Sequence, residues 1–170
     1  MKNRGGYNID YEKGFQLESE SFKKHKSVIK YVLGSSKLES TERTLIDKAT
    51  GIDCYAQIQG NIYGISLRVR KHDYNSFTLN RHISEKHSEI NKWNKTRLNQ
   101  IKPSYHIQIA PMRNGNLKVW RINIDAFGYY LENLKNDNTL EHFYNTKLKC
   151  YEFSYDSVKN VNGVKMFEID

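Results

Sequence analysis

Apolar residues recur along this chain with two periods, and each stretch predicts an element. Phe22, Ile29, Val32 and Leu33 fall at helical spacing, so a helix is expected over 17–33, closed by Gly34. Ser35 to Asp47 reads as a polar link with a helical turn around Glu39–Ile46. Strict alternation then begins. Ile52, Cys54, Ala56 and Ile58 alternate with polar neighbours, and Tyr63, Ile65, Leu67 and Val69 do the same. Gly60-Asn61 is the turn signal between them, so Ile52–Lys71 is expected to form a hairpin. Phe77–Arg81 reads as a short strand, and Ser84–Ile101 as a helix stopped by Pro103. Tyr105–Ala110 and Leu117–Ile124 read as strands around Asn114-Gly115. Asp125 is expected to cap a helix through Leu134, and 147–155 and 163–169 to close as an antiparallel pair. Residues 1–15 have no period and read as a loose arm. The order of elements predicts an α/β fold, a mixed sheet flanked by helices.

Length and composition narrow the class. A chain of 170 residues fits one domain, 1–170. Aromatic residues at 12% argue against disorder. No apolar run approaches membrane-spanning length and the N-terminus lacks an apolar signal region, so no membrane partner and a cytoplasmic location are expected. Cys54 and Cys150 have no metal-ligand spacing and read as reduced thiols, Cys54 in the core. P-loop, G-x-G-x-x-G and nucleophile-elbow patterns are missing from the sequence.

The net charge of +8 is unevenly placed. Residues 67–102 hold nine basic residues against three acidic ones, with His72, His82, His87 and Trp93 among them. A concentrated basic segment with aromatic residues suits a polyanion, most often nucleic acid. The same segment also reads as a solvated surface face.

Counting outward from a Gly60-Asn61 turn places Asp53 opposite Arg68, Tyr55 opposite Ser66 and Gln57 opposite Gly64, on one polar face. A carboxylate facing a cation across two strands has two readings. It is the layout that holds a divalent ion beside a phosphate-binding cation, and it is also an ordinary cross-strand ion pair.

Asp47-Lys48-Ala49-Thr50-Gly51-Ile52-Asp53, followed by Gly64-Ile65-Ser66-Leu67-Arg68 and Phe77-Thr78-Leu79, resembles the PD-(D/E)XK nuclease superfamily, and more narrowly its small phage-encoded members. The likeness covers about 17–110, with 111–170 as a C-terminal β extension, and the motif itself lies within 47–81. It implies a restriction-endonuclease-like core of helix, three strands, helix and strand. It implies that Asp53 binds Mg²⁺, that Ser66-Leu67-Arg68 stands at the E-x-K element, and that Glu20 supplies a helical acid. Arg68 would clamp the scissile phosphate. Arg70, Lys71, Arg81, Lys92 and Lys95 would hold the DNA backbone, and the host cytoplasm would be the setting.

Two residues depart from that pattern. Ser66 removes a carboxylate, so Mg²⁺ would bind weakly. Arg68 grips a phosphate well but does not act as a base near neutral pH. Two functions are therefore expected from different classes. One is a Mg²⁺-dependent DNA endonuclease or resolvase-like enzyme, with Glu20, Asp47 or Glu89 completing the site. The other is a catalytically silent scaffold that binds DNA or protein, such as a phage inhibitor of a host nucleoprotein defence complex. Gln108, beside His106, is a further candidate for positioning water or phosphate. Glu85, Glu89 and Lys92 also read as a surface ion network. Arg113, Lys118 and Arg121 are candidates to extend the basic surface, with Arg121 alternatively pointing inward.

Overall fold

The computed structural model of the protein describes residue 20 and residues 22–40, 51–80 and 102–170. The expected arm 1–15 and the expected helix Ser84–Ile101 lie outside the described residues, as do Asp47, Arg81, Glu89, Lys92 and Lys95.

A helix, α1, runs over 22–33. Gly34 ends it at φ +63°, with its N–H on the Tyr31 carbonyl and the Ser35 N–H on the Lys30 carbonyl. This is the paired bonding of a left-handed C-terminal cap. The next segment was expected as a link but contains a strand, β1 (Lys37–Ser40), paired antiparallel with β2 (Cys54–Ile58). Four residues with one buried apolar side chain, Leu38, show too little alternation to signal a strand.

The hairpin of β2 and β3 (Asn61–Val69) forms, but its turn sits one residue earlier than Gly60-Asn61. Ile58 pairs with Asn61, leaving Gln59 and Gly60 as the two central residues at φ +50° and +82°. Two consecutive positive φ values match the right-handed twist of the flanking strands. The pairing therefore shifts, and Tyr55 faces Gly64 and Gln57 faces Ile62. Each side chain keeps its expected face, because the shift preserves the two-residue period.

The main sheet has six strands in the order β1-β2-β3-β5-β6-β9, where β5 is Tyr105–Pro111, β6 Leu117–Asn123 and β9 Val164–Ile169. All neighbours are antiparallel except β3 and β5, which run parallel. The sheet is therefore mixed, in an α/β fold. The strand at Phe77 leaves this sheet. As β4 (Ser76–Asn80) it joins a second, three-stranded sheet in the order β4-β8-β7, with β7 at Tyr144–Asn145 and β8 at Cys150–Ser154. The expected final pair is thus two separate pairings: β8 with β4 and β9 with β6. A helix, α2 (Ile124–Asn136), follows β6. Asn123 caps it by accepting the Ala126 N–H at 3.0 Å, while the expected cap, Asp125, lies in the first turn. A 3₁₀ turn (Leu140–Phe143) and a one-turn helix, α3 (Tyr155–Val158), complete the elements among the described residues.

The main sheet separates two apolar clusters. On one face, Ile29, Val32 and Leu33 of α1 pack on Cys54, Ala56, Ile65, Ile107, Ile109 and Val119. On the other, Trp120 and Ile122 meet Phe77, Leu79 and Phe153 of the small sheet and Phe127 and Leu131 of α2. Among the described residues, no helix is long and apolar enough to cross a membrane.

Candidate functional site

The hairpin face predicted to carry chemistry begins at Gly51-Ile52-Asp53. Ile52 is buried and lies over Gly64, where an added Cβ would stand 2.7 Å from Ile52 Cδ1. Asp53 is half-buried. Its N–H donates to the Ile65 carbonyl at 2.8 Å, and its Oδ2 accepts the Leu67 N–H at 2.5 Å. The carboxylate thus takes a ladder position at the mouth of the hairpin, against Ile65–Leu67 and not opposite Arg68 as the expected turn had it. Burial, with the Asp53 charge nearby, pushes the thiol of core residue Cys54 up to about 12.

Ser66 and Arg68 point to the face opposite α1. The parallel register sets Ser66 beside His106 and Arg68 beside Gln108. His106 Nδ1 lies 3.2 Å from Ser66 Oγ. Burial, with the Arg68 and Arg70 cations close by, holds the His106 imidazole well below its usual pKa, so it is neutral at physiological pH.

The two arginines and Gln108 reach toward β4. Arg68 Nη1 donates to the Thr78 carbonyl at 2.7 Å and to Thr78 Oγ1 at 3.4 Å. Gln108 Nε2 donates to the Ser76 carbonyl at 2.9 Å. Arg70 donates through Nε to Gln108 Oε1 at 3.3 Å and through Nη2 to Thr78 Oγ1. Ser76 and Thr78 are two apart on a strand, so their carbonyls point the same way. Side chains from the main sheet therefore cover the edge of β4 that β8 does not pair. An open strand edge is a template for unwanted pairing, and covering it prevents that. Beyond Ser76, its Oγ bonds Glu152 Oε1 at 2.8 Å, and Asn145 Nδ2 bonds Glu152 Oε2 at 2.8 Å.

The remaining predicted residues are dispersed. Glu20 is exposed, in the helical segment on the other side of the sheet. Gln57 is half-buried on β2, and its backbone carbonyl accepts from Ser35 Oγ and the Ser36 N–H. Lys71 and Arg113 are exposed. Lys118 does not extend the basic surface. It is buried, ion-paired to Asp73 at 2.5 Å and bonded to Asn75 Oδ1 at 3.0 Å. Arg121 points inward, donating to the Val32 carbonyl at the end of α1 at 2.6 Å, with Phe167 under its guanidinium.

Mg²⁺ takes an octahedral oxygen set that usually includes one or two carboxylates. Among the described residues, the hairpin offers Asp53, already bonded to a backbone amide, the neutral Ser66 and backbone oxygens. This donor set falls short of that requirement. Among the described residues, no group of three or more His, Cys, Asp or Glu could hold a metal.

Thr78, Ser76 and His106 were missed as members of the constellation. The pairs Ser66–His106 and Arg68–Gln108 share an offset of forty residues, a trace of parallel register that a single sequence shows only once the partner strands are known. No protein-family model matches the chain, and no curated protein matches it.

Proposed function

We propose that this chain is a nucleic-acid-binding protein on a nuclease-like scaffold, one that binds without cutting. One observation carries the reading. Asp53, Ser66 and Arg68 stand where the resemblance expects metal and phosphate chemistry, and each is engaged in holding strands together. Asp53 takes the Leu67 N–H, Ser66 meets His106, and Arg68 seats the Thr78 carbonyl. A Mg²⁺-dependent endonuclease needs these groups turned toward a substrate. The excess of basic residues, +8 overall, supports a polyanionic partner.

The test incubates the purified chain with supercoiled plasmid, linear duplex and single strands, with Mg²⁺ or Mn²⁺. The expected result is intact nucleic acid, retarded on a gel, with an affinity that falls steeply with salt. Cleavage abolished by EDTA and by Asp53→Asn would instead restore the endonuclease or resolvase-like reading. Failure to bind any nucleic acid at low salt would overturn the proposal and leave a protein partner, such as a host defence complex, as the target.

A further inference from the structure

The outer face of α1 has no role in the core or in the hairpin constellation. Its sequence over 22–33 holds four lysines, Lys23, Lys24, Lys26 and Lys30, and no Asp or Glu. The first three are exposed and Lys30 is half-buried, while Phe22, His25, Val28, Ile29, Val32 and Leu33 turn inward. Burial, with Lys24 beside it, lowers the pKa of His25, so this residue adds no charge at neutral pH. Among the described residues, none of the four lysines forms an ion pair with a carboxylate.

Like charges three and four apart on a helix are destabilising. Lys23–Lys26 and Lys26–Lys30 follow that spacing; Glu20 lies three residues before Lys23 and the Lys26 charge reaches Glu39, so the row is only partly offset. Several lysines elsewhere are paired with acids. Lys37 pairs with Glu39, Lys159 with Asp156 and Lys118 with Asp73. The charges of α2 follow its dipole, with Asp125 in the first turn and Lys135 in the last.

Tyr31 stands on the same face with 73% of its surface exposed. At about 1.5 Å of rise per residue, Lys23, Lys26 and Lys30 span about 10 Å. A nucleic-acid strand presents one phosphate about every 3.4 Å of axis, so the row matches roughly three phosphates. An exposed tyrosine beside them offers a ring on which a base stacks. The C-terminal end of the helix is anchored: the Arg121 guanidinium holds the Val32 carbonyl and Gly34 closes the last turn.

We propose that the Lys23–Lys26–Lys30 row and Tyr31 form a docking surface for the phosphate backbone of a nucleic acid, on the opposite side of the sheet from Asp53 and Arg68. This inference rests on the nucleic-acid reading above and adds the surface that makes the contact.

The experiment measures affinity for a labelled duplex and a labelled single strand as a function of salt. It compares the natural chain with Lys23→Gln/Lys26→Gln/Lys30→Gln, with Tyr31→Ala, and with the charge-matched control Lys147→Gln/Lys149→Gln/Lys165→Gln, all exposed lysines elsewhere. Gln and Lys have similar helix propensity, so the α1 variant keeps its fold, as circular dichroism will check. The α1 variant should lose about tenfold or more in affinity, and its slope of log K against log salt should fall by about 3, while the control moves far less. Tyr31→Ala should weaken single-strand binding more than duplex binding. Natural chain that binds, with both triple variants weakened equally or not at all, overturns the α1 surface and leaves the nucleic-acid reading standing. Natural chain that does not bind overturns both.

Discussion

Removing the Asp53 carboxylate strands a half-buried backbone amide, the Leu67 N–H, at the mouth of the hairpin. Losing the acceptor for such a donor costs about 1–3 kcal/mol. Asp53→Ala should therefore lower stability by that order in urea unfolding, whereas Asp53→Asn, which keeps an acceptor oxygen, should lose clearly less. Equal losses in the two variants would show that the charge, and not the bond, is what the fold uses. His106 carries a second prediction. Its pKa is lowered in the folded chain by burial and by Arg68 and Arg70, so the unfolded chain takes up the proton first as pH falls. Its stabilising contribution is complete above the ordinary histidine value, about 6.5, and declines below it. The urea midpoint should drop between about pH 7.5 and 5.5, above the range where most carboxylates titrate. His106→Gln should flatten part of that drop; His25, also lowered by burial, contributes with the same sign. An unchanged acid limb in His106→Gln would show that His106 is not the responsible group.

At the scale of elements, the β2–β3 turn holds an unfavourable residue. Gln59 adopts φ +50° before Gly60 at +82°. The left-handed region costs an ordinary residue about 1–2 kcal/mol, and Asn tolerates it better. Gln59 is exposed, so its replacement removes no packing. Gln59→Asn should stabilise the protein by ~0.5–1 kcal/mol, and Gly60→Ala should destabilise it, both read from denaturation midpoints. A neutral Gln59→Asn would mean that the turn relaxes in solution to another register. Register matters here beyond stability, because it decides which backbone segment the Asp53 carboxylate meets.

At the scale of the molecule, the two sheets are interleaved along the chain. β4 lies between β3 and β5 in sequence, yet among the described residues it pairs with β8 of the C-terminal segment. Arg68 and Gln108 bind its other edge to the main sheet. The C-terminal segment also supplies Tyr151, Phe153, Val158 and Val164 to the core and β9 to the main sheet. A chain ending at Asn138 should therefore lose cooperative unfolding and bind a hydrophobic dye, the marks of a loosely packed state. A sharp transition in the truncated chain would show that the body built on α1, β1–β3, β5, β6 and α2 folds by itself.

Local patterns determined much of this protein. The 3.6-residue period and Gly34 set the inward face and the end of α1, and the two-residue period set which side of β2, β3, β5 and β6 is buried. These features are written in consecutive residues, so a single sequence displays them. The alternation also placed Asp53, Ser66 and Arg68 away from the core face that holds Cys54 and Ile65. Three things were decided only in the folded chain. The turn moved to Gln59-Gly60, because backbone twist outweighed the Gly-Asn signal. β4 left the hairpin's sheet, because Phe77 found Phe127, Trp120 and Phe153 on the far side of the main sheet. The polar residues of the hairpin found partners in Leu67, His106 and Thr78, because unpaired polar groups at a sheet interface are costly and the nearest strands supplied matching groups. Strand partners distant in sequence set those contacts, and a periodic pattern carries no record of which strands will meet.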